Sequence, residues 1–286
     1  MTAALALAVA LAFAAQGSPA AAAAAQQEQG PAPRVDITLS SENPPDAERA
    51  DWDLYQAAMT GFSERGFSAI DARAPALAEA LARAPALYPM MSEVNGGWLI
   101  RTEDRDEAMT LARAIGVIEQ GRGGGAVKIV VAPNTYPLLA LLLGSAAIER
   151  RAFDEAHQYL DAGLALQPLH RLLLNEKLVA LHGQQRWEDA YLLLKTALAA
   201  DDPLLSASPA HLQRRLGYTL IELGRLREAR EAYVASLTAE PGNAIALAEL
   251  ELIDDIEAGR ATAGEMEITA PLAPQSDDGK PTGPLN

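Results

Sequence analysis

Residues 211–243 read HLQRRLGYTLIELGRLREAREAYVASLTAEPGN. Leu212, Leu216, Tyr218, Leu220, Ile221 and Leu223 gather on one broad side of a helix, which Gly224 interrupts. Ala229, Ala232, Tyr233, Ser236 and Leu237 then recur at three- and four-residue steps, until Pro241-Gly242-Asn243 stops a second helix. A lone helical hairpin cannot bury so broad a face, so the pattern requires neighbours of its own kind.

Those neighbours lie upstream. Leu143-Gly144, Ala147, Ala156, Leu160, Gly163 and Pro168 match the hairpin position by position, and so do Leu178, Leu181, Ala190, Leu194, Ala197 and Asp202, with Pro203 just after. Ala156 and Ala190 stand 34 residues apart, Ala190 and Ala229 39 apart. The surplus falls in Asp201–Ser208, between helices, where a longer turn costs little. Asn134 or Thr135 can cap the first helix, with Pro137 in its first turn. After Asn243 a last helix is expected over Ala244–Ala258, with Ile245, Leu247, Leu250, Leu252, Ile253 and Ile256 apolar. Glu249, Glu251, Asp254, Asp255 and Glu257 are expected to give it a polar outer face.

The three hairpins resemble tetratricopeptide repeats. That motif places a large residue and Leu-Gly in its first helix, then Ala, an aromatic, a small residue and Pro in its second; Leu216-Gly217, Leu220, Ala229, Tyr233, Ser236 and Pro241 stand at those places. Gln213 stands where the motif usually has Trp. The resemblance implies a mainly all-α fold, an α-solenoid of tandem helix-turn-helix repeats whose first helices line a concave groove. It also implies a non-enzymatic scaffold for a protein or peptide partner, without cofactor or metal.

Carried over residue by residue, the family's groove positions fall at Leu141, Ser145 and Ile148, then Asn175, Val179 and His182, then Arg214, Tyr218 and Ile221, and last Ala248, Leu252 and Asp255. Of the Lys, Arg and Asn set that clamps chaperone C-termini in some members, Asn175 and Arg214 remain. Val179 and Tyr218 stand where amides would be expected, so chaperone-tail recognition is rejected. Tyr218 as an aromatic platform and Arg214 as an anion contact suit an extended or helical peptide. Equally, Tyr218 packs and Arg214 pairs with a nearby acid.

The 286 residues carry a net charge of −15 and no cysteine. An acidic surface disfavours nucleic acid and anionic membranes, and the missing thiols exclude disulfides, thiolate catalysis and an N-terminal lipidated cysteine. His157, His170, His182 and His211 form no two-histidine metal pair, and His157 and His170 are expected to be solvated. Gly121-Arg122-Gly123-Gly124-Gly125 follows a helix and enters an extended stretch, the reverse of a phosphate cradle, and reads as a surface hinge.

Five segments are expected. Residues 1–25 read as a secretory signal without a basic start, which implies a bacterial periplasmic or secreted protein, cytoplasmic if the segment is no signal and with no membrane insertion after cleavage. Residues 26–45 read as a linker and 46–133 as a mostly helical region. There Trp52, Leu54, Tyr55, Ala58, Met59 and Phe62 mark one helix, Ala72–Ala84 a second and Glu103–Gln120 a third. Gly96–Thr102 and Val127–Val131 either form a short β-hairpin or extend over helices. Residues 134–258 form the array and 259–286 a tail read as disordered. The competing reading is an enzyme, or a regulatory subunit of one, with its site in 46–133; a third is self-association through the array's unfinished apolar edge.

Overall fold

A computed structural model describes residues 34–200, 202, 204–205 and 209–262. The expected signal, the first part of the linker and nearly all of the tail lie outside the described residues. In chain order the elements are β1 (Val35–Ser41), α1 (Arg49–Arg65), α2 (Phe67–Asp71), α3 (Ala74–Ala82), β2 (Met91–Val94), β3 (Gly97–Arg101), α4 (Arg105–Gly121) and β4 (Gly125–Ala132). The array follows: α5 (Thr135–Glu149), α6 (Phe153–Leu166), α7 (Arg171–Gly183), α8 (Trp187–Ala199), α9 (Pro209–Glu222), α10 (Leu226–Ala239) and α11 (Ala244–Glu257).

The array positions read from the sequence are the buried ones. Leu143, Ala147, Ala156 and Leu160 in the first hairpin are buried, as are Leu178, Ala190 and Leu194 in the second and Leu216, Leu220, Ala229 and Tyr233 in the third. A Cβ on Gly144 would meet the Leu160 side chain at 2.6 Å, and one on Gly217 the Tyr233 ring at 2.5 Å, so hydrogen at those positions is what lets the helices cross.

One turn closes every hairpin. Arg151, Gln185 and Gly224 have φ of 58°, 56° and 71°. Each donates its N–H to the carbonyl three residues back, and the next residue donates to the carbonyl five residues back, as in Arg186 N–H to Leu181 O at 2.9 Å. Gly259, with φ 69°, repeats the pattern after α11, which makes α11 the equivalent of a first helix. Its outer face differs from the expectation: Ile245 and Leu247 are exposed in its first half, and the acids cluster in its second. The Asn134 side chain does not cap α5; its amide pairs reciprocally with Gln167, at 3.0 and 2.8 Å, tying the start of α5 to the end of α6.

The region before the array holds a four-stranded sheet in the order β1-β4-β3-β2. Gly96–Thr102 and Val127–Val131 do pair, but in parallel, through the crossover helix α4; the hairpin is β2 with β3. β1 corrects the linker reading over Val35–Ser41: it runs parallel to β4 with Val35 opposite Gly125. Seven residues of VDITLSS make a strand only because that distant partner supplies the ladder. Helix α4, capped by Asp104, covers one face with Leu111, Ala112 and Ile115 against Trp98, Ile100, Val127 and Ile129.

Helices α1 and α3 pack on α5 and share its core, with Ala58, Leu77 and Leu81 beside Leu139 and Leu143. Polar side chains pin this junction. Asp51 accepts from Arg83 Nε at 3.1 Å and from the Tyr136 hydroxyl at 3.2 Å; Glu48 accepts from the Tyr88 hydroxyl at 2.6 Å and from Arg101, which lies over the Tyr88 ring. The longer turn between α8 and α9 is a tether as well as slack. Asp202 caps the amides of Leu204 and Leu205; Leu205 enters the core of the array while Leu204 packs on the sheet cluster.

Candidate partner-binding groove

The first helices of the hairpins, α5, α7 and α9, are linked by polar contacts. Ser145 Oγ on α5 donates to Glu176 on α7 at 3.1 Å. Arg215 on α9 donates to Asn175 Oδ1 at 3.0 Å. Thr219 gives its hydroxyl proton to the Arg215 carbonyl at 2.8 Å and lies 3.0 Å from His182 Nε2. With that proton spent, Thr219 accepts from His182, which assigns the Nε2–H tautomer to the imidazole.

His182 on α7, Trp187 at the start of α8 and Tyr218 on α9 form an aromatic cluster. His182 stands 5.2 Å from Trp187 and 5.3 Å from Tyr218, and Trp187 meets Tyr218 edge-on at 6.0 Å. Burial, then the charge of Arg215, pushes the His182 imidazole down to about 4. Burial, followed by the carboxylates of Glu222 and Glu249, raises the Tyr218 phenol. Glu176, Glu222 and Glu249 are all raised, in each case chiefly by burial.

Of the residues expected in the groove, Leu141, Ser145, Ile148, Asn175, Val179, His182, Tyr218, Leu252 and Asp255 are half-buried, and Ala248 is exposed. Two are corrected. Ile221 is 2% exposed, a core residue packed in the cluster of the second and third hairpins. Arg214 bends into its own hairpin, donating to Ser236 Oγ at 3.1 Å and Glu240 at 2.6 Å. The cation on the groove is Arg215, one residue and about 100° around the helix.

Sequence reasoning missed Arg215, Glu176, Thr219, Trp187, Glu222 and Glu249. Glu222 could have been found, since it follows Tyr218 by four residues and so shares its face. Trp187 opens a second helix, where no groove position was sought. His170 is also corrected: it is buried, with its Nδ1 accepting from the Leu173 amide at the start of α7, and burial pushes it down to about 4. His157 bonds Gln184 at 2.9 Å. Gln213 lines a cleft between α8 and α10 with Tyr191, Lys195 and Leu220. No described helix is long and apolar enough to cross a membrane.

No protein-family model matches the chain, and no curated protein matches it. Among solved structures it is similar to the first tetratricopeptide domain of Spaghetti (RPAP3) bound to an HSP90 peptide: 24% identity, over 43% of this chain and 93% of that one, with a TM-score of 0.38. It is also similar to a MamA mutant, at 24% identity over 43% of this chain and 69% of that one, TM-score 0.34, and to MamA AMB-1, at 21% identity over 54% and 76%, TM-score 0.35. The fold of the array is tetratricopeptide-like, and it is carried by this chain's own hairpins: three 34- to 39-residue units, one shared turn and one shared set of buried positions.

Proposed function

We propose that this chain is a non-enzymatic scaffold that docks a protein or peptide segment on the face of α5, α7, α9 and α11, and that it works in a bacterial envelope. The observation that carries the docking reading is the aromatic cluster of His182, Trp187 and Tyr218, half-buried where α7, the start of α8 and α9 meet. Apolar positions at Leu141, Ile148, Val179 and Leu252 extend that face, as recognition of several consecutive side chains requires. Two buried carboxylates of the sheet region, Glu48 and Asp51, are engaged in bonds at its junction with the array, so this region reads as the array's N-terminal support. The envelope reading rests on the leader-like residues 1–25.

A crosslinked pull-down from the envelope fraction of the native host tests the docking reading. The full chain is compared with a Val179→Arg/Tyr218→Ala variant and with a Leu192→Arg variant on the exposed side of α8. Loss of one partner with the first variant only is the expected result; the same partners from all three chains would refute it. Finding the protein in the cytosolic fraction with residues 1–25 intact would refute the envelope reading.

A further inference from the structure

The two edges of the four-stranded sheet differ. At one end β2 is four residues long and carries Glu93, which pairs with Arg122. At the other β1 is seven residues long, with Asp36 as its one charge and no proline. Sheet edges are kept from pairing with other chains by shortness, charge or proline, and β1 lacks these guards. Ile37 and Leu39 are exposed, at 38% and 40%, although they stand opposite Val127 and Ile129 on the side that α4 covers. A Cβ on Gly116 of α4 would meet Ile37 Cδ1 at 3.3 Å, and Met109, two turns earlier on the same stripe of α4, is exposed as well.

The backbone of β1 divides by parity. Arg34 O accepts from Gly125 N–H and Glu42 N–H donates to Val131 O, both at 2.9 Å, so the even-numbered residues from 34 to 42 turn their peptide groups toward β4. Val35, Ile37, Leu39 and Ser41 turn theirs outward, and among the described residues no strand pairs with that side.

This outward edge is complementary to itself. Two such strands can exchange hydrogen bonds only with odd-numbered residues opposite odd-numbered ones. In an antiparallel pair with Thr38 opposite its own copy, Ile37 stands opposite the partner's Leu39, and Arg34 opposite the partner's Glu42, each twice. A shift of two residues one way sets Asp36 against Glu42, and the other way leaves Arg34 facing Ser40. Arg34 bonds Asp36 at 3.1 Å and Glu42 bonds Lys128 at 3.6 Å, with all four side chains exposed, so each copy brings two cations and two carboxylates to the junction. In a chain of net charge −15, whose copies repel at long range, such a balanced edge lets two of them approach.

We infer that two copies of this chain join through β1, antiparallel about Thr38, into one eight-stranded sheet.

Analytical ultracentrifugation of the full chain over a concentration series is expected to show a monomer–dimer equilibrium. Arg34→Glu alone, or Glu42→Arg alone, sets like charges opposite each other twice and should weaken the dimer about tenfold or more. Mixing the two variants puts opposite charges back at both ends and should restore it. Circular dichroism and an unchanged unfolding midpoint establish that each variant is folded. The chain has no cysteine, so Thr38→Cys supplies a single thiol, about 4.5 Å between Cα atoms from its own copy, and should cross-link on oxidation. Asp36→Cys, displaced from its copy by about 13 Å along the strands, should not. A chain that stays monomeric throughout overturns the inference, and amide exchange then says why. Free exchange at Ile37 and Leu39 would show an open edge, and protection there would show a segment of the same chain lying on it. A dimer that ignores both charge reversals and fails to cross-link through Thr38→Cys has its contact elsewhere and overturns the inference as well.

Discussion

Arg151 and Gln185 occupy the same left-handed position in successive hairpin turns, with φ of 58° and 56°, where the third hairpin has Gly224. A side chain with a Cβ is strained in that region and glycine is not. Gln185, exposed at its turn, is the cleaner site: Gln185→Gly should raise stability by about 1 kcal/mol, and Gly224→Gln should lower it by a similar amount. Urea unfolding midpoints at unchanged m-value check both. A loss of stability in Gln185→Gly would show that the backbone entropy of glycine outweighs the relief of strain.

The Tyr233 ring, 1% exposed, lies across Gly217. Gly217→Ala would place a methyl 2.5 Å from Cε2 of a ring that has no room to retreat. A destabilisation of about 1–3 kcal/mol is expected, read in the same urea experiment. An unperturbed midpoint would mean that α9 and α10 can part at that crossing without cost.

Three neutral histidines set a pH dependence. His170, His182 and His211 are held at about 4, below their ordinary value of 6.5, by burial first and arginine charge second. Above pH 6.5 neither state of the chain binds a proton at these rings, so they contribute no slope. Between pH 6.5 and about 4 the unfolded chain takes up protons that the folded chain refuses, so stability falls as pH falls. The raised carboxyls of Glu176, Glu222 and Glu249 act in the opposite direction, which makes a difference measurement the right one. His182→Gln can still donate to Thr219 and cannot titrate; its melting temperature should drop less than that of the parent between pH 7 and pH 4.5. Parallel curves would exclude the buried imidazole as a source of the slope.

Arg214 should be a stability residue. Its side chain is 16% exposed and is spent on Ser236 and Glu240 inside the hairpin. Arg214→Ala should cost about 1–2 kcal/mol and leave partner capture unchanged once folding is accounted for. Comparing pull-downs with Arg214→Ala and Arg215→Ala separates the two neighbours: a loss of partner in the first and none in the second would reverse the assignment.

The array was legible because its signals are short-range. Leu143-Gly144 against Leu160, and Gly217 against Tyr233, report a helix crossing within some sixteen residues, and the 34-residue step repeats it. A helix also satisfies its own backbone, so no distant segment is needed to make one. The groove was half legible. Val179, His182 and Tyr218, carried over from the family's groove positions, are half-buried on their helices, whereas Arg214 and Ile221 depended on what packs beside them.

The sequence by itself determined the hairpins, their number and their buried positions. Tertiary structure alone decided the rest. Val35 meets Gly125 across most of the N-terminal region, since a strand's partner can lie anywhere in the chain; Arg215 faces the groove in place of Arg214, since Glu240 and Ser236 lie within reach of the latter; and His182 meets Tyr218 from a separate helix, since only packing brings separate first helices side by side.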